Sequence, residues 1–278
     1  MKIGTFLNQI ERAVSMGEIP DITAGLSMLA AKGLSYVDVT SEMVDKYSVQ
    51  QIKEWLSPFG LTVDSYIHCL PFSPVNEASW EFYRHDTALQ LERCSELGCG
   101  FFMLVPELSE AFLSATQRNA ARNQVVAYAK YVTEQASSYG IRTLIENYSY
   151  IHCPYSVPED IEYILNRVPD LRFILDTGNF WFNDTDMEAA AIRFADRTAH
   201  VHLKDLSPNK QGFLKISGKS ADSVAIGQGI LPIKSAMSIL TQSGYDGGLS
   251  IELNSNTHVM ASLEASLSYL LTESRIVS

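Results

Sequence analysis

Short runs rich in Val, Ile, Leu, Tyr and Phe alternate along this chain with amphipathic segments, and the alternation repeats eight times. The runs stand at Lys2–Leu7, Tyr36–Thr40, Leu61–His68, Gly100–Val105, Arg142–Glu146, Leu171–Leu175, Thr198–Leu203 and Gly247–Glu252. Most follow a glycine or proline turn, and they read as strands. Between them apolar residues recur at helical spacing, as in Ile22, Gly25, Leu26 and Leu29, or Ile161, Ile164, Leu165 and Val168. Met187, Ala190, Ala191 and Phe194 repeat the pattern, and so do Ile233, Ala236, Met237 and Leu240. Gly33, Gly60, Gly98, Gly140 and Gly244 supply helix stops shortly before the next strand. Eight such units without a break in composition predict an α/β fold, a single (β/α)8 TIM-barrel domain over residues 1–278. A doubly wound open sheet competes, but it requires a glycine-rich phosphate turn after an early strand. The first strand is followed instead by Asn8-Gln9-Ile10-Glu11-Arg12.

Hydrophobic residues make up 46% of the chain and charged residues 19%, enough for an extensive core and unlike a disordered segment or a disulfide scaffold. Twenty-one basic against 32 acidic residues leave a net charge of −11. Without a dense basic cluster, such a surface repels a polyphosphate backbone, so no nucleic-acid partner is expected. The four cysteines form no CxxC pair and read as reduced thiols of a cytosolic protein. The N-terminus reaches Asn8 and Gln9 too soon for a signal peptide, and no run approaches the roughly 18 apolar residues of a membrane span. A cytoplasmic protein with no membrane partner is the expectation.

In a parallel barrel, chemistry gathers at the carboxyl ends of the strands. Four consecutive strands end there in a carboxylate or an imidazole: Glu146-Asn147 on the fifth, Asp176-Thr177-Gly178-Asn179 on the sixth, His200-Val201-His202 on the seventh and Glu252 on the eighth. One acid at a strand end commonly caps a helix or opens a turn. Three acids buried together cost several kcal/mol each unless protons or a cation compensate. A divalent ion is the simplest compensation, so a metal site is expected. Its oxygen-rich donors with one imidazole favour Mn²⁺ or Mg²⁺, are compatible with Co²⁺ or Zn²⁺, and are unlike a thiolate zinc site. If Glu252 and His202 point inward, alternation along a strand turns Ser250, Gly248 and His200 inward beneath them.

The second half of the chain resembles the xylose isomerase-like barrel superfamily, specifically its sugar-phosphate isomerase and sugar epimerase branch. The matching segments are Ile145-Glu146-Asn147, Leu175-Asp176-Thr177-Gly178-Asn179, His200-Val201-His202-Leu203-Lys204-Asp205, Gly227-Gln228-Gly229 and Gly244-Tyr245-Asp246-Gly247-Gly248-Leu249-Ser250-Ile251-Glu252. The resemblance implies that Glu146, Asp176, His202 and Glu252 ligate one divalent metal ion, and that Glu146 and Glu252 double as acid and base. Two positions depart from the epimerase pattern. Asn179 stands where a histidine is frequent, and no carboxylate follows Glu146 until Glu159. The related abasic-site nucleases need further histidine and glutamate ligands, and that set is incomplete here.

Isomerising or epimerising a sugar next to its carbonyl requires a carbon-bound proton to be removed and returned, with the enediolate stabilised by a Lewis acid. Glu146 and Glu252, from the fifth and eighth strands, suit the two proton transfers. Asn147, Asn179, Lys204, Asp205, His68 and Trp181 are candidate contacts to a small sugar, keto-sugar or sugar phosphate. Lys204 and Asp205 read equally as a solvated ion pair at a strand exit. A metal-dependent dehydratase or lyase acting on a cyclic polyol or keto-acid uses the same groups, and a barrel that binds sugar or metal without turnover is a further alternative. The connection from Leu206 to Gly229, with Lys210, Phe213, Lys215 and Lys219, is long enough for a lid or binding loop. Tyr66, Phe72, Tyr148, Tyr150, Tyr155, Phe180, Trp181 and Phe182 crowd the expected mouth, where they suit stacking on a sugar or the interface of a homodimer or homotetramer. Cys153 receives no role.

Overall fold

A computed structural model describes residues 1–72, 77–108, 115–255 and 257–277. All eight expected strands form. Seven of them, β1 (Lys2–Phe6), β2 (Tyr36–Thr40), β3 (Thr62–Phe72), β4 (Phe101–Leu108), β5 (Arg142–Glu146), β6 (Arg172–Asp176) and β7 (Thr198–Leu203), are followed by a small excursion of β8 (Asp205–Pro208), β9 (Leu214–Ile216) and β10 (Lys219–Val224). The last barrel strand, β11 (Gly248–Ile251), pairs in parallel with both β1 and β7, and the ring closes in the order β1-β11-β7-β6-β5-β4-β3-β2. β3 and β4 run further than expected and stay paired to Phe72 and Leu108.

The helical spacings read from the sequence are the faces the helices bury. Ile22, Gly25, Leu26 and Leu29 face inward from Ile22–Ala31, and Ile161, Ile164 and Leu165 from Pro158–Arg167. Met187–Phe194 and Ile233–Gln242 bury the four residues expected of each. The expected stop at Gly244 has φ +85°, a conformation that costs glycine little and other residues more. Among the described residues, no helix is long and apolar enough to cross a membrane, and all four cysteines are free.

Inside the ring, Phe6, Ile67, Phe101, Met103, Val105, Leu144 and Ile174 form an apolar cluster. Facing it, from β2, β7 and β11, is a buried polar group: Tyr36, Asp38, His200 and Ser250. Gly4 leaves room for it, since a Cβ there would lie 2.2 Å from the Tyr36 ring. The pairing of β2 with β3 slips between Val37↔Val63 and Val39↔Tyr66, so two residues of β3 oppose Asp38 alone. Asp38 Oδ1 accepts the Ser65 N–H at this bulge, 3.1 Å away. The extra residue reverses the alternation of β3: Asp64 approaches the interior His200, and Ile67 and Cys69 face inward in turn, while Tyr66 and His68 turn to the outer helices.

The connection after β7 is not a simple lid. Its three strands make an antiparallel sheet in the order β8-β10-β9. Lys210 and Lys215 are exposed, and Lys219 pairs with Asp184 at 2.6 Å while covering the Trp181 ring. Asp205 ties the sheet's ends together: its carboxylate accepts the N–H groups of Leu206, Gly227, Gly229 and Leu231 at 2.9–3.1 Å. Gly229 is needed for this approach, because a Cβ there would sit 2.1 Å from Asp205 Oδ1. Replacing a carboxylate that serves four amides leaves them without their acceptor. Asp205→Ala is therefore expected to cost about 2–4 kcal/mol in urea unfolding and to speed amide exchange at Gly227–Leu231. Unchanged stability would contradict this structural role.

Candidate metal centre and active site

Glu146 and Asp176 are the last residues of β5 and β6, His202 the last but one of β7, and Glu252 follows β11 directly, with its N–H donated to Leu203 O at 2.9 Å. Parallel neighbours in register bring these ends together. One donor atom from each of Glu146, Asp176, His202 and Glu252 lies within 4.8 Å of every other. The expected convergence is present.

The surroundings hold the four side chains in place. Asn147 clamps β5 to β6, donating from Nδ2 to Asp176 O at 3.0 Å and accepting the Asp176 N–H on Oδ1 at 2.9 Å. Asp176 Oδ1 accepts the N–H groups of Gly178 and Asn179, at 2.8 and 2.7 Å. Its Oδ2 meets Lys204 Nζ at 2.9 Å, and the same ammonium reaches Glu252 Oε1 at 2.9 Å and Asn179 Oδ1 at 3.1 Å. Asn179 Nδ2 donates in turn to Glu146 Oε2 at 3.3 Å. His202 Nδ1 is hydrogen-bonded to Glu146 Oε1 and lies 3.7 Å from Glu252 Oε2.

Charge inside the cluster is unevenly settled. Burial pushes Glu146 and Asp176 well above the usual carboxylate range, even with Lys204 beside them. Burial acts on Glu252 too, but the Lys204 ammonium outweighs it and holds that carboxyl below its ordinary value. Burial, helped by the cationic His200, lowers His202 to about 4 and keeps its imidazole neutral. His200 goes the other way: Asp38 and Asp64 overcome its burial and raise it to about 10. Three carboxylates against one ammonium leave a net charge of −2 when all are ionised, which a divalent cation cancels. With a neutral imidazole completing the donors, the residues present fit such an ion.

The mouth pocket above the cluster is lined by Glu146, His202 and Glu252 together with Tyr148, Glu107 and Cys69. Several expected substrate contacts lie elsewhere. His68 sits on the outer face of β3 because of the bulge, with Nε2 2.7 Å from Asp86 Oδ2 and Nδ1 3.3 Å from Ser41 Oγ. Trp181 packs with Phe182 and Leu206 under the small sheet. Asp205 is the turn acceptor described above, and both amide atoms of Asn147 are used in the β5–β6 clamp. Asn179 and Lys204 brace the acidic residues from behind and do not line the pocket. Of the aromatic residues, Tyr148 reaches it. Tyr66 donates its hydroxyl to Gln90, and Tyr155 donates to Pro106 O at 2.6 Å. Phe180 and Phe182 are buried, Tyr150 packs at a tilt against Tyr148, and the side chain of Phe72 lies outside the described residues.

Other mouth residues went unnoticed in the sequence. The helix Leu7–Ser15 begins directly after β1 and presents Asn8, Gln9 and Arg12 to the pocket. Gln9 brackets Glu252, donating to Ile251 O and accepting from Leu253 N, both at 2.9 Å. Arg12 holds Leu253 O and Ser255 O at 3.2 Å, and Asn8 Oδ1 is buried without a hydrogen-bond partner among the described residues. The segment that counted against a phosphate turn was the signal for these residues.

The fold and site together define an eight-stranded parallel barrel with a cluster of oxygen and imidazole donors at the carboxyl ends of four adjacent strands. The chain matches the description "Xylose isomerase-like TIM barrel" over residues 26–272 and belongs to that family. Among solved structures, it is similar to the IolI protein with a bound zinc atom, with a TM-score of 0.78 at 16% identity, covering 100% of this chain and 99% of that one. It is also similar to the probable 3-DHS dehydratase AsbF of Bacillus anthracis (TM-score 0.76, 14% identity, 98% of this chain and 99% of that). D-psicose 3-epimerase of Clostridium cellulolyticum with D-tagatose gives a TM-score of 0.73 at 14% identity over 100% of both chains. At these identities the likeness is one of fold. No curated protein matches the chain by sequence.

The Asn147 clamp gives a direct test of how the cluster is held. Asn147→Ala strips partners from the buried N–H and C=O of Asp176 and is expected to cost about 2–4 kcal/mol in denaturant unfolding. A loss below about 0.5 kcal/mol, the scatter of ordinary surface substitutions, would contradict the clamp.

Proposed function

We propose that this chain is a divalent-metal-dependent isomerase or epimerase of a sugar, keto-sugar or sugar phosphate, with Glu146, Asp176, His202 and Glu252 as the ligands. The reading rests on one observation, the convergence of those four donors beneath an open pocket at the barrel mouth. Mn²⁺ best suits three carboxylates and one imidazole, with Mg²⁺, Co²⁺ and Zn²⁺ also accommodated by this donor set. The family membership and the epimerase neighbours support a sugar-processing enzyme in the same direction.

When bound, the ion supplies a Lewis acid for the carbonyl and adjacent hydroxyl oxygens of the substrate. The protein supplies the proton transfers. Glu146 and Glu252 stand at the two ends of the arc β5-β6-β7-β11, so a sugar lying across the pocket meets a carboxylate on either side. One removes the proton from the carbon beside the carbonyl, and the other returns a proton to the neighbouring carbon or to the opposite face. Lys204 holds Oε1 of Glu252 and leaves Oε2 on the His202 side, which fixes the direction in which this carboxylate works. Asn179 does the same for Glu146 through Oε2. Tyr148 offers an aromatic wall that excludes water from the reacting carbon.

Two measurements test this reading. Mn²⁺ at 100 times its Kd is expected to stabilise the protein by about 2.7 kcal/mol, a rise of roughly 5–10 °C in Tm. EDTA should reverse the gain, and Glu146→Gln should abolish it. In heavy water, the Mn²⁺-loaded protein is expected to wash deuterium into a ketose at the carbon beside its carbonyl. Glu252→Gln should slow that exchange by roughly 10²–10⁴-fold without unfolding the barrel. A fully active variant would refute the role given to Glu252. Loss of water to give an unsaturated product would instead favour the dehydratase reading.

A further inference from the structure

His202 uses one ring nitrogen and leaves the other unsatisfied. Nδ1 faces Glu146 and Glu252, whereas Nε2 is buried, has no hydrogen-bond partner among the described residues, and lies 3.8 Å from Asp38 Oδ2. The ring has little freedom to move away. Phe6 packs edge-on against it with centroids 4.8 Å apart, and His200 stands perpendicular to it at 5.2 Å. Buried nitrogens without partners are rare enough to require a reason.

We infer that Asp38 is the positioning carboxylate of His202: it accepts the Nε2–H of that imidazole and so turns the Nδ1 lone pair toward Glu146, Asp176 and Glu252. The inference rests on the metal reading of those four residues. A neutral imidazole carries one N–H. With the proton on Nδ1, it serves Glu146, but the Nε2 lone pair then faces a carboxylate oxygen, an arrangement with nothing to hold it. With the proton on Nε2, the N–H points at Asp38 and Nδ1 is free to bind a cation. The same proton has moved between the two nitrogens, and the charge of the ring is unchanged. Closing 3.8 Å to hydrogen-bond distance needs a shift of less than an ångström.

Asp38 is built to stay where it is. Its Oδ1 accepts the Ser65 N–H freed by the β3 bulge, at 3.1 Å. Its Oδ2 is 3.0 Å from His200 Nε2 and accepts the Ser250 hydroxyl. On its far side, His200 Nδ1 faces Asp64 Oδ2 at 3.2 Å, a charge contact rather than a hydrogen bond. A carboxylate fixed from three strands can orient an imidazole on β7 in a way that a solvated one cannot. Such outer partners of a ligand histidine typically change metal affinity 10–100-fold when removed.

The test uses Zn²⁺, a diamagnetic probe, on the full chain labelled with ¹⁵N at histidine. In the Zn²⁺-loaded wild type, the His202 resonances are expected to show Nε2 protonated and Nδ1 without its proton. Asp38→Asn is expected to weaken Zn²⁺ binding by roughly 10–100-fold in calorimetry while circular dichroism shows the fold retained. A proton on Nδ1 in the loaded wild type overturns the inference, and so does a folded Asp38→Asn protein that binds Zn²⁺ as tightly as the wild type. If Asp38→Asn does not fold, the wild-type resonances decide alone. Failure of the wild type to bind Zn²⁺ would remove the metal reading and this inference together, whereas binding that Asp38→Asn leaves unchanged would remove only the inference.

Discussion

Three carboxylates cannot remain ionised side by side within a barrel unless positive charge is brought to them, and the mouth of this barrel is arranged around that constraint. Lys204 satisfies part of it by bridging Asp176 and Glu252. Glu146 lies outside that bridge, and it and Asp176 remain pushed up by burial. The cluster is therefore held in position but short of positive charge. Asn147 fixes the backbone under Asp176, Asn179 connects Glu146 to Lys204, and Gln9 grips the chain on both sides of Glu252. Each of these residues reduces the freedom of one acid in the cluster.

The cluster also has a foundation. Beneath it, β2, β7 and β11 contribute Asp38, His200 and Ser250, joined to Tyr36 and to Asp64 near the opposite end of the barrel. This group stays charged and paired inside the protein, with His200 cationic between two aspartates. Its rigidity begins with a backbone irregularity: the bulge in β3 leaves an N–H that only a side chain can satisfy, and Asp38 satisfies it. A local defect in strand pairing is thereby turned into a fixed point beneath His202.

Much of the fold was legible in the sequence because barrel strands and amphipathic helices impose strong, repeated patterns. The eight strands and the buried faces of four helices follow directly from residue spacing. The four donors were legible for a related reason: each ends an apolar run, and adjacent strands in register bring such ends together. Failures came where a residue's role depends on something distant in the chain. His68 and Tyr66 point outward because one extra residue reverses the alternation of β3, and nothing in Leu61–His68 marks a bulge. Asp205 looks like a partner for Lys204 until the chain returns at Gly227–Leu231 to offer it amides. Asp38 finds His200 162 positions later in the sequence, a pairing no local pattern shows. The small sheet after β7 is built from polar segments such as Lys219–Val224, whose strand character comes from pairing with β8 and β9.

The most direct measurement is a crystal structure of the protein grown with Mn²⁺, with anomalous scattering used to locate the ion. One peak is expected between Glu146, Asp176, His202 and Glu252, with Nδ1 of His202 among the coordinating atoms. Ordered protein with no peak at the mouth, or an ion bound only by other side chains, would contradict the claim that these four residues form a single metal centre.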